Sequence, residues 1–179
     1  MSTSDISTID GPLAEELSEL ADGSISLFVI LPIFQRMLVS DSRAMALQRF
    51  EGLISEHLAN LDSVLGDVLL RRDQCDGDLT KSLFRSVTHL RIRPESVARD
   101  HEILGVVHQA QLFLVGSCGF ALRFATSAHA DETVRVLQAS LLILGSMIGQ
   151  SAVPVSVSEV VQPRRRLVAG GHAVAFSPL

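Results

Sequence analysis

The sequence contains no tryptophan and no tyrosine, and its only aromatic residues are eight phenylalanines. Strands draw heavily on aromatic and β-branched side chains. An apolar share of 47% with so few aromatics, carried instead by Leu, Ala and Val, points to packed helices. There are two cysteines, Cys75 and Cys118, in no metal-binding or redox spacing, so a reduced, cytoplasmic setting is expected. No basic excess is present: the net charge is −5, and nothing in it recruits nucleic acid or an anionic membrane. No glycine-rich phosphate loop, HExxH or CxxC occurs. The opening MSTSDISTIDGP lacks a basic region followed by an apolar one, so secretion is not expected. A length of 179 residues suits one well-cored domain rather than two.

What is abundant is apolar surface. The mean hydropathy is +0.34, and two windows, Ile25–Phe34 and Ile103–Leu122, carry most of it. The first is about half the length needed to cross a bilayer and contains Pro32; the second includes His108, Gln109 and Gln111. Both are read as core, and no membrane partner is expected.

Four segments carry a helical stripe. The first runs Leu13, Leu17, Leu20, Ser24, Leu27, Leu31, Phe34, Leu38. Asp10-Gly11 can cap it, Pro12 suits its first position, and Glu15 and Glu16 suit its positive end. The second runs Leu47, Phe50, Ile54, His57, Leu61, Val64, Val68, after the capping candidates Asp41 and Ser42, and closes at Arg71-Arg72. The third, after Pro94-Glu95, runs Leu104, Val107, Gln111, Leu114, Cys118, Ala121, Ala125. The fourth, capped by Asp131 or Ser127, runs Val134, Leu137, Leu141, Leu144, Ile148. A short helix at Leu79–Val87 is predicted within the longer connection Asp73–Arg93. The expected fold is all-α: an antiparallel four-helix bundle over residues 12–150, with a disordered stretch at 1–11. Residues 151–179, with three prolines, Gly170-Gly171 and Arg164-Arg165-Arg166, are read as a loose or partner-packing tail.

Three polar residues interrupt the stripes near mid-helix: Ser24, His57 and Gln111. Spacing alone puts them in the core, where a small hydrogen-bonded cluster around a trapped water is expected. Glu51 and Glu56 fall on the outer side of their helix. His101 and His108, one heptad apart near Asp100 and Glu102, are expected to be ordinary histidines, with His108 the best spare ligand. Asp73, Asp76, Gly77 and Asp78 lack the spacing and closing glutamate of a calcium loop. Cys118 reads as a buried thiol, and Gly116-Ser117-Cys118-Gly119 as a place where two helices approach closely.

The spacing across all four segments resembles the YciE/YciF-like branch of the ferritin-like superfamily. The likeness runs from Glu15 to Ser151. It is carried by Leu17-Ser18-Glu19-Leu20-Ala21-Asp22-Gly23-Ser24, Leu31-Pro32, Glu56-His57-Leu58 with Leu61, Cys75 and the segment after it, Asp100, Gly119 and Leu137-Gln138. Such proteins are similar to di-metal bundles, whose inward acids hold iron or manganese. Here the resemblance places the first-helix acid on Ser24 and the second-helix pair near Gly52 and Leu53, with a His-or-Gln position on His57. It places the third-helix pair on Gln111 and Leu114, and the fourth-helix pair on Ile143 and Leu144. None of these is a carboxylate, so no metal, no cofactor and no catalysis are expected. The resemblance implies a degenerate member acting by association, as a homodimer or with another protein, in a setting related to stress. Two alternatives remain open at this point: a residual iron or manganese site on His57, His108, Gln111 and Glu102 with oxidase-type chemistry, and a pocket for a small apolar ligand.

Overall fold

The computed structural model describes residues 11–65 and 77–151. They form helices α1 (Pro12–Met37), α2 (Asp41–Leu65), α3 (Asp78–Arg91), α4 (Val97–Ser127) and α5 (Asp131–Ser151), and no strand is present among them. The four predicted stripes lie on helices, except that Leu38 falls just past the end of α1 and Val68 lies outside the described residues; the predicted short helix runs longer than expected, over the whole of α3. The proposed cap Asp10, the closing pair Arg71-Arg72, the remaining acids of the faint calcium loop, Cys75 and the tail lie outside the described residues.

The ends follow local chemistry. Pro12 occupies the first turn of α1 after Gly11, whose φ of 82° suits a residue without a Cβ. Ser96 caps α4 by accepting the Arg99 N–H at 3.2 Å. Asp131 opens α5, whereas Ser127 is no cap: it ends α4, where its hydroxyl donates to the Arg123 carbonyl at 3.0 Å. His129, between the two, adopts a left-handed φ of 56°.

α1 packs against α2 and α4, α5 packs against the same two helices, and α3 lies against α1 and α4. One apolar core draws on all five helices, with Leu20, Leu27, Ile30, Phe34, Ile54, Leu61, Leu83, Ile103, Leu114 and Leu137 fully buried. Burying each such side chain contributes roughly 1.5–3 kcal/mol.

α1 and α4 are long and apolar enough to cross a membrane by length and composition. They differ in use. Two-thirds of the most apolar window of α1 is buried inside the protein (67%), against a third for α4 (33%), so α1 is the central helix and α4 keeps an apolar face outward.

Candidate functional site

The stripe interruptions are buried, as their spacing predicts. Ser24 on α1 and His57 on α2 are fully buried, and Gln111 on α4 is 1% exposed. The Ser24 hydroxyl donates to the Leu20 carbonyl one turn back at 2.7 Å. With its hydrogen so committed, Ser24 Oγ accepts from His57 Nε2, 3.1 Å away. That assigns the proton to Nε2 and leaves Nδ1 a bare lone pair, buried and without a hydrogen-bond partner. Burial also drives the imidazole to its neutral form, pushing the pKa of His57 down from 6.5 to about 4. Gln111 gives its side-chain carbonyl to His108, whose Nδ1 donates at 3.3 Å. Of the three residues of the expected cluster, Ser24 and His57 are joined directly, and Gln111 is bonded to His108.

The other positions at which the resemblance seeks acids are apolar or turned away. Leu114 is fully buried and Leu144 is 1% exposed, so both fill the core. Ile143 and Leu53 are half-buried at its margin, and Gly52 is exposed. Iron and manganese need several hard oxygen ligands from facing helices. Ser24, His57, Gln111, Leu114, Ile143 and Leu144 offer one imidazole nitrogen, a hydroxyl and an amide. This donor set does not fit a di-metal centre. Among the described residues no three His, Cys, Asp or Glu side chains converge. Glu102 is ion-paired with Arg93, and Glu51 accepts from Gln35 Nε2 at 2.8 Å.

Two of the buried charged groups, Arg99 and Asp100, do structural work at one end. Asp100, the fourth residue of α4, is fully buried. Its oxygens accept the backbone N–H groups of Val39 and Ser40 at 3.0 and 3.1 Å, and Arg43 Nη1 lies 3.4 Å away. Its neighbour Arg99 donates to the carbonyls of Met37 and Arg93 and pairs with Glu95. Together they grip the turn between α1 and α2 from both sides, satisfying the last carbonyl of α1 and the amides of the two residues that lead into α2. His101 completes this end: its Nδ1 donates to the Val97 carbonyl at 2.8 Å, and Nε2 accepts from Arg43 at 3.1 Å.

Three features escaped the sequence reading. Ser18, Asp22 and Ser26 form a buried polar stripe on α1 at four-residue spacing, and the Ser26 and Thr80 hydroxyls lie 2.6 Å apart, joining α1 to α3. The repeat was legible, had a second stripe on one helix been sought. Gly23 is the true close approach: a Cβ there would stand 3.0 Å from Leu79 Cδ2 and 3.1 Å from Leu114 Cδ2. Gly116 and Gly119, expected to serve that purpose, have open space beside them, because their side of α4 meets no other described element. Finally, an open groove of about 470 Å³ between α3 and α4 is lined by Arg85, His89, Leu90, Glu102, Val106 and Gln109. Cys118 is as expected: fully buried, its thiol 3.5 Å from the Leu137 carbonyl and its pKa pushed up by burial to about 12.

No protein-family model matches this chain, and no curated protein or solved structure matches it.

Proposed function

We propose that this chain is a ferritin-like four-helix bundle that has lost its di-metal site and acts without catalysis, through association with a second copy or another protein. The observation that carries this reading is the mid-helix core itself. At the positions where a di-metal bundle needs acids, Leu114 and Leu144 fill the interior and Ser24 accepts a hydrogen bond from His57. The helix arrangement supports the architecture. Contacts run from α1 to α2, α2 to α5, α5 to α4 and α4 back to α1, and α3 with the segment before it carries the chain from α2 to α4. Asp100 meets the α1–α2 turn, so α4 begins at the end where α1 finishes. That is the connectivity of a bundle with one long crossover.

An apolar interior also suits a bundle without cations. Facing carboxylates repel and are costly to desolvate, whereas leucine at the same place adds burial. Titration of the full chain with Fe(II) and with Mn(II), followed by thermal unfolding, tests the reading. A ligand that binds only the folded state raises Tm by mass action. No shift with either metal is the expected result; a saturable rise in Tm would overturn it.

A further inference from the structure

We propose that the outward face of α4 is a self-docking surface, on which two copies pair antiparallel about a two-fold axis passing between Leu112 and Phe113. This rests on the reading that the chain acts by association, and it names the surface and the register.

No Asp, Glu, Lys or Arg occurs between Glu102 and Arg123. A helix with one solvated face is expected to carry charge on it. Here the exposed positions within that span are Gly105, Gln109, Leu112, Gly116 and Phe120, with Phe124 one turn further on. Leu112 is 50% exposed, Phe120 55% and Phe124 39%. Glycine inside a helix costs roughly 0.5–1 kcal/mol relative to alanine. Nothing among the described residues requires it at Gly105 or Gly116, where an added Cβ meets no atom within 4 Å. Small residues so placed let a second helix come close, and the large side chains between them give it something to grip.

The register follows from self-complementarity. A two-fold interface sets each patch against its own copy. With the axis between Leu112 and Phe113, Phe120 of one copy lies level with Gly105 of the other, and Gln109 lies level with Gly116. The bulkiest exposed side chain thus faces a position with no side chain. The same register brings Arg123, exposed and carrying the only positive charge at that end of the face, level with Glu102 of the second copy. Glu102 is 40% exposed, so it can hold a second guanidinium beside Arg93. Like charges meet nowhere along the stripe. One helix pair buries less than the ~1,600 Å² of a standard interface, so the dimer belongs to the weak, concentration-dependent class.

Disulfide trapping in the full chain tests the register. In a Cys75→Ser background, Leu112→Cys sits beside the axis, within the Cα separation of about 4.4–6.8 Å that a disulfide needs. Met45→Cys, 58% exposed on α2, is the control. Buried Cys118 is left in place. Under mild oxidation Leu112→Cys is expected to cross-link, and Met45→Cys at most a tenth as fast. In sedimentation equilibrium, Phe120→Glu weakens dimerisation at least tenfold and Arg123→Glu a few-fold, both with unchanged helical circular dichroism. A dimer that survives Phe120→Glu and does not cross-link at position 112 would place self-association on another face and overturn this inference alone. A monomer at every concentration would remove self-association itself. Flotation of that monomer with phosphatidylcholine vesicles, lost in Phe120→Glu, would assign the face to lipid instead.

Discussion

Two of the buried polar regions in this molecule are built on opposite principles. At mid-helix, Ser24 and His57 meet as neutral groups, one hydrogen bond between them and leucines around them. At the end where α1 turns into α2, Arg99 and Asp100 are charged, and each of them bonds two backbone groups. The difference shows where a buried charge can be supported. A carboxylate is stable out of water only when its lone pairs are filled, and a helix turn offers unpaired amides to fill them. The middle of a helix has none to give, since every amide there is already bonded along the chain. Where no amide is free, a neutral pair such as Ser24 and His57 is a stable way to bury polar atoms at mid-helix.

The sharpest way to break the comparison is to remove the end charge. Asp100→Ala strips two backbone amides and Arg43 of their acceptor and is expected to cost about 3–5 kcal/mol, read as a lower urea midpoint with unchanged slope. Leu114→Ala, which opens a cavity in the middle, is expected to cost about 2–5 kcal/mol. The same leucine touches the space a Gly23 side chain would need, so partial collapse towards Gly23 puts the value in the lower half of that range.

Acid probes the middle specifically. In the folded state His57 stays neutral down to about pH 4, whereas the unfolded chain takes up that proton near its ordinary 6.5. Between those values the unfolded state binds more protons, so stability falls as pH falls, by at most ~1.4 kcal/mol per unit, and levels off below the lower one. The full loss is about 3 kcal/mol. Subtracting the pH–stability curve of His57→Leu from that of the parent isolates it, and parallel curves would show that His57 is solvated. Smaller still is Ser24→Ala, expected to cost about 1–3 kcal/mol because the Nε2 hydrogen is orphaned. Combining it with His57→Leu should restore most of that loss, since an apolar pair leaves nothing unsatisfied. No such rescue is expected for Asp100, whose partners are backbone.

Much of this was legible beforehand, for reasons that vary along the chain. The long helices were visible because their apolar stripes keep helical spacing over many turns, and Ser24, His57 and Gln111 stood out as breaks in them. The identity of the bonding partners was not visible: His108 reaches Gln111 from one turn away on the same helix, and spacing alone could not prefer it to Ser24. The Asp100 clamp was hidden because it joins residues about sixty positions apart, and its function depends on backbone amides that carry no sequence signal. Gly23 and Gly116 look alike as letters. Only their surroundings show that one is crowded and the other is open.

The central claim is that the core of this chain has no place for a di-metal centre. Elemental mass spectrometry tests it most directly, on protein purified without chelator from cells supplemented with iron and manganese. The account predicts each metal well below one atom per chain. Stoichiometric iron or manganese, lost on His57→Leu, would contradict it and make the free Nδ1 of His57 the first ligand to pursue.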